Sequence, residues 1–104
     1  MSTVKVNTEN FRNEVTESEI PVLVDFYAGW CTPCRMMSPV LEDISDELCG
    51  QVKIAKVDVT EDGELAEKYR ILNLPTMMIF RSGQVTDTLV GAAGKQQILD
   101  LLGV

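Results

Sequence analysis

Histidine is missing altogether from this 104-residue chain. Its absence removes the commonest general base and the commonest zinc ligand, so any proton transfer falls to a carboxylate, a lysine, a thiol or water. Cysteine is scarce: there are three, an odd number, whereas a secreted disulfide framework shows an even count at high density. A reducing compartment fits that pattern better. Basic residues are outnumbered nine to sixteen, and a net charge of −7 argues against nucleic acid and anionic membrane surfaces as partners. No apolar run approaches the ~20 residues of a spanning helix, and the opening stretch MSTVKVNTEN lacks the apolar core of a signal peptide. A cytoplasmic protein with no membrane and no nucleic-acid partner is therefore expected.

What is present suits one globular domain, residues 1–104. Apolar residues make up 45% and aromatics 6%, enough to fill a core, while charges of both signs at 24% describe an ordinary surface. No repeat or Gly/Ser-rich linker interrupts the chain. Val4 to Val6 reads as a short strand, and Phe11 and Val15, four apart behind the possible caps Asn7 and Thr8, predict a short helix. The run Val22 to Ala28 is almost wholly apolar, as in a central strand covered on both faces. From Pro33 the period changes: Cys34, Met37, Leu41, Ile44 and Leu48 form one helical stripe, ended by Gly50.

Val52 to Val59 reads as a second inner strand, and Leu65 and Tyr69 mark the next helix. Met77–Phe80 and Val85–Val90 flank a Ser82-Gly83 turn, so they should pair as an antiparallel hairpin. A last helix over about Lys95 to Leu102 turns Ile98, Leu101 and Leu102 inward. Alternating strands and helices followed by a hairpin and a closing helix predict a three-layer α/β/α sandwich around a mixed sheet.

The chemistry-bearing stretch is WCTPC, Trp30 to Cys34. Cys34 begins the buried stripe, whereas Cys31 lies one turn earlier, at the strand-to-helix turn. The expectation is an exposed Cys31 and a shielded Cys34. A thiol at a helix N-terminus meets unpaired N–H groups and the positive end of the macrodipole, which favour its thiolate. Cys31 is thus the candidate nucleophile. Pro33 supplies the fixed φ of a first helical turn, and Arg35 places a cation nearby.

A zinc site needs four ligands, and the chain offers only a third cysteine and no histidine. Cys49 ends the helix that Cys34 begins, roughly 22 Å away at ~1.5 Å per residue, too far for a disulfide. It reads as a small hydrophobe in or near the core. A permanent crosslink at 31 and 34 would close too small a loop to add much stability. The couple is read as one for exchange, with no metal and no cofactor.

Asp25, inside VLVDFY, places a carboxylate in a sheet core, where an isolated charge is costly. Two readings are open: an acid bonded to nearby hydroxyls or backbone, or a proton relay to the shielded thiol. Lys56, in the adjacent inner strand, is a candidate partner for it.

Together, VDFYAGWCTPCRMMSPVLEDI, LPTMMIF and VGAAGKQQI resemble the thioredoxin family, and the likeness runs over essentially the whole chain. The resemblance implies a mixed five-stranded sheet with four flanking helices and protein-disulfide reductase activity. By position, Cys31 is similar to the attacking cysteine and Cys34 to the resolving one, with a redox disulfide between them. Asp25 resembles the buried acid, Lys56 its neighbour, and Leu74-Pro75 the cis-proline step. Trp30, Leu74, Pro75, Val90, Gly91 and Ala92 resemble the substrate-receiving surface.

Three positions depart from the commonest pattern: Thr32 where glycine is usual, Arg35 where lysine is usual, and Tyr27 where tryptophan is frequent. Thr32 and Pro33 form the active-site turn, and a β-branched residue at 32 bears on the balance of dithiol and disulfide. The implied partners are a flavin-dependent thioredoxin reductase and disulfide-containing client proteins, met by a monomer. The rival readings are a glutathione-reduced enzyme, an oxidase or isomerase, a binding module with incidental thiols, and a metal- or cluster-bridged dimer.

Overall fold

Val22 to Phe26 are all buried, as a strand sandwiched between two layers of helices must be. The computed structural model describes residues 3–104, and in it this segment, β2 (Val22–Tyr27), lies at the centre of a five-stranded sheet. Its neighbours are β3 (Lys53–Asp58), parallel, and β4 (Thr76–Arg81), antiparallel. The edges are β1 (Val4–Lys5), parallel to β3, and β5 (Gln84–Val90), antiparallel to β4. The order is β1-β3-β2-β4-β5, the mixed sheet expected.

Side chains alternate across this sheet. Val22, Val24 and Phe26 join Ala55, Val57 and Phe80 on one face, with Phe11, Val15 and Leu65 above them. Phe11 is the N-cap residue of α1 (Arg12–Thr16), a single π-helical turn to which Val15 belongs, and Leu65 comes from α3 (Gly63–Lys68). Four of the chain's six aromatics gather here: Phe11, Phe26, Tyr69 and Phe80, with edge-on contacts of Phe80 to Phe11 and Tyr69 at 5.7 and 5.5 Å. Leu23, Ile54, Met77 and Ile79 occupy the opposite face, beneath Met37, Leu41 and Ile44 of α2 (Thr32–Glu47) and Ile98 and Leu102 of α4 (Lys95–Leu102). Each such side chain contributes about 1.5–3 kcal/mol by leaving water.

The helix starts follow local chemistry. Asn7 Oδ1 accepts from the N–H groups of Glu9 and Asn10 ahead of α1, and Asp62 caps α3 by accepting the Leu65 N–H at 3.2 Å. α2 runs through Pro39, whose missing N–H cannot continue the ladder to the Arg35 carbonyl. In the turn between β4 and β5, Ser82 and Gly83 both have positive φ, 53° and 80°, matching the twist of the hairpin.

One expectation needs correcting. Cys49 is exposed rather than in or near the core: α2 ends at Glu47 with Leu48 as its C-cap, and the chain turns through Gly50 at φ +85°, leaving Cys49 outside the stripe. Leu48 and Leu101, placed on inner faces by periodicity, are half-buried and pack against the Leu23 side of the core.

Candidate active site

The turn after β2 carries the chain from the sheet into α2 at Cys31. Cys31 has extended backbone, and its Sγ accepts the N–H of Cys34 at 3.2 Å. The sulfur therefore takes the place usually filled by a capping oxygen. Pro33 lies in the first turn, where its absent N–H costs no helical bond. Cys31 and Cys34 are disulfide-bonded, with Cα atoms 5.2 Å apart.

Both cysteines are buried, 6% and 3% exposed, in a cluster with Ala28 and the flanking Tyr27, Val59 and Leu74. The expected exposure of Cys31 is thus overturned. Joined to Cys34, it packs under Leu74 and Val59, and the outward position at this turn goes to Trp30, 71% exposed.

Alternation along β2 sends Asp25 to the Leu23 face, beneath α2. It is fully buried, and neither carboxylate oxygen has a hydrogen-bond partner. Burial pushes its carboxyl from 3.8 up to about 6, opposed by the charge of Lys56. Lys56 stands opposite Asp25 in the β2–β3 register, yet its Nζ lies 3.5 Å from Ser38 Oγ and 4.6 Å from the centre of the Tyr27 ring. The hydroxyl-bonded alternative for Asp25 is not what this geometry holds.

On the far side of the thiols the Leu74–Pro75 bond is cis. The Gly91 N–H donates to Pro75 O at 2.7 Å, and Gly91 takes φ +92°, a conformation glycine adopts without strain. That bond holds the Val90–Ala92 segment against Pro75. Val90 is 58% exposed.

A groove of about 640 Å³ runs beside Cys31. Trp30, Thr32, Pro33 and Leu74 line it, as do Val59, Ile71, Leu72 and Asn73, which sequence reasoning did not place at the site. The available signal was RILNLP, three apolar residues of no fixed period just before the proline. Val90, Gly91 and Ala92 are not part of the groove wall; they connect to the site through Pro75.

Arg35 ties the turn together. Its Nη1 donates to Gly29 O at 2.8 Å and its Nη2 to Thr32 Oγ1 at 3.2 Å. Among the described residues no group of His, Cys, Asp and Glu is arranged to hold a metal ion, and no helix is long and apolar enough to cross a membrane.

A family model described as Thioredoxin matches residues 2–103. The chain belongs to the thioredoxin family. Thioredoxin C-2 of Corynebacterium nephridii is 50% identical over 100 residues, covering 94% of this chain and 93% of that protein. Thioredoxin 1 of Synechococcus elongatus is 47% identical over 97 residues, 93% and 91% of the two chains. Thioredoxin of Rickettsia felis is 43% identical over 95 residues, 91% and 90%. With that membership and a C-x-x-C pair joined as a disulfide, this thioredoxin-family chain is a thiol–disulfide oxidoreductase acting on protein disulfides through Cys31 and Cys34.

Proposed function

We propose that the two cysteines have unequal roles, Cys31 attacking and Cys34 resolving. The observation that carries this is their placement: Cys31 caps α2 at the edge of the groove, while Cys34 heads the buried stripe on the face that also covers Asp25. Cys31 thiolate attacks one sulfur of a client disulfide; a Cys31–client S–S bond forms and the other client sulfur leaves as a thiolate. Cys34 gives its proton to the Asp25 carboxylate, directly or through water, and attacks Cys31 Sγ. The Cys31–Cys34 bond forms, and the client's second sulfur leaves. Two electrons have passed to the client, which ends as a dithiol after taking up two protons.

An acid raised to about 6 exchanges protons readily near neutral pH, which suits Asp25 to the relay. Lys56, lying across the register, moderates that rise. Trp30, Leu74, Pro75, Val90, Gly91 and Ala92 receive the extended client segment, with Thr32 and Pro33 shaping the turn. A thioredoxin reductase returns the pair to the dithiol. The chain works as one monomeric domain in the cytoplasm, where the exposed Cys49 stays reduced.

Trapping tests the roles. Cys34→Ser should accumulate client proteins in covalent, thiol-reversible adducts, and Cys31→Ser should not. Adducts on Cys31→Ser and none on Cys34→Ser would reverse the assignment.

A further inference from the structure

Thr32 and Arg35 look like two separate substitutions within a familiar pattern, yet the structure joins them. The guanidinium reaches back from the first turn of α2 and holds the chain on both sides of Cys31. It donates to Gly29 O at 2.8 Å, two residues before that cysteine, and to Thr32 Oγ1 at 3.2 Å, one residue after it. The first contact is a charge-assisted bond to a carbonyl, and the second exists only because residue 32 carries a hydroxyl. A β-branched side chain has few χ1 options, so the hydroxyl is a fixed anchor rather than a wandering one. An arginine held at one point keeps much of its rotamer freedom; held at two, the planar fork is set.

We propose that Thr32 and Arg35 act as one positioning unit, the hydroxyl locking the guanidinium across the turn so that its charge stabilises the thiolate Cys31 carries when it attacks. The proposal rests on the reading of Cys31 as the nucleophile. Neither residue touches the reacting sulfur in a bonding step; both act through the placement of charge. A cation that favours the thiolate also favours the dithiol state over the disulfide, so the unit biases the couple away from the most reducing values its fold could reach. A lysine at 35 would bring the charge without the fork, and a glycine at 32 would remove the second anchor. The two identities therefore matter only together.

The test uses the full chain with Cys34→Ser and Cys49→Ser, leaving Cys31 as the sole thiol, and follows its alkylation by iodoacetamide against pH. Tyr27 packs against the two cysteines, with Lys56 over its ring and Asp25 opposite Lys56, and all three stay unchanged in every variant. Thr32→Val and Arg35→Gln should each move the profile to higher pH, slowing alkylation on its acid side by roughly two- to fivefold, the size of an exposed charge interaction. The double variant should be no slower than Arg35→Gln alone, and Thr32→Ser, which keeps the hydroxyl without the branch, should lie between the parent and Thr32→Val. In the chain with both active cysteines, Thr32→Val should move the equilibrium with a thiol buffer toward the disulfide by the same factor.

An unshifted Thr32→Val profile, or effects of the two substitutions that add, would overturn the unit while leaving Cys31 as nucleophile. A parent Cys31 that titrates as it does in the unfolded chain would overturn both readings.

Discussion

Asp25 and Lys56 face each other across neighbouring parallel strands, yet the carboxylate has no hydrogen-bond partner, because the lysine lies toward Ser38 and the Tyr27 ring instead. A buried acid left in this state resists ionisation, and Lys56 only softens the resistance. The arrangement sacrifices stability for an acid that titrates near neutral pH.

That sacrifice has a defined pH window. Below about 3.8 both folded and unfolded chains keep the Asp25 proton, and between 3.8 and about 6 only the folded chain does. The unfolded state then binds fewer protons, so stability falls as pH rises through this range and the full penalty is reached above it. At ~1.4 kcal/mol per pKa unit the penalty is on the order of 3 kcal/mol. Asp25→Asn, which copies the shape of the neutral acid, should be about 1–3 kcal/mol more stable than the parent at alkaline pH, the gain vanishing in acid. Guanidinium unfolding at the two ends of the window measures it. An equal gain at both ends would assign the effect to packing instead of ionisation.

The β4–β5 turn offers a test of backbone geometry away from the thiols. Gly83 has φ +80°, and a Cβ there would lie 2.9 Å from the Thr16 carbonyl oxygen and 3.3 Å from Thr16 Cγ2. Gly83→Ala combines left-handed strain with a clash against backbone and should cost about 2–4 kcal/mol. Gly63 opens α3 with nothing within 4 Å and no positive φ, so Gly63→Ala should gain up to about 1 kcal/mol. Opposite shifts of the denaturation midpoint at unchanged slope are expected. A neutral Gly83→Ala would mean that the turn can refold around a side chain.

Much of this molecule was legible because its period is strict. The apolar run of β2 and the three-four spacing from Cys34 to Ile44 led to the sheet and to α2, and both are buried as that pattern requires. The same alternation that put Leu23 under α2 puts Asp25 there. Periodicity fails at element ends, where the backbone leaves its repeat: Cys31 and Cys49 flank the two ends of α2, and the stripe predicts the exposure of neither. The groove wall at Ile71 to Asn73 has no period at all and follows Arg70, a non-glycine residue at φ +56°. The contact from Arg35 to Thr32 spans three residues on a first helical turn, a spacing that permits contact without requiring it.

Leu72 gives the sharpest functional prediction. It is 90% exposed on the groove beside Trp30, an apolar side chain that none of the described residues covers. Leu72→Ser should leave stability within about 0.5 kcal/mol, since little of the side chain is buried. If a client segment covers it during exchange, up to ~1.5 kcal/mol of burial is lost, lowering kcat/KM for a protein disulfide by roughly three- to tenfold. Reduction of a small-molecule disulfide too short to reach from Cys31 to Leu72 should be unchanged. The loss should also be insensitive to salt, because no charge is altered. Equal losses on protein and small-molecule disulfides would place the defect at the thiols, and no loss on either would show that clients pass over the Val90–Ala92 side of Pro75 alone.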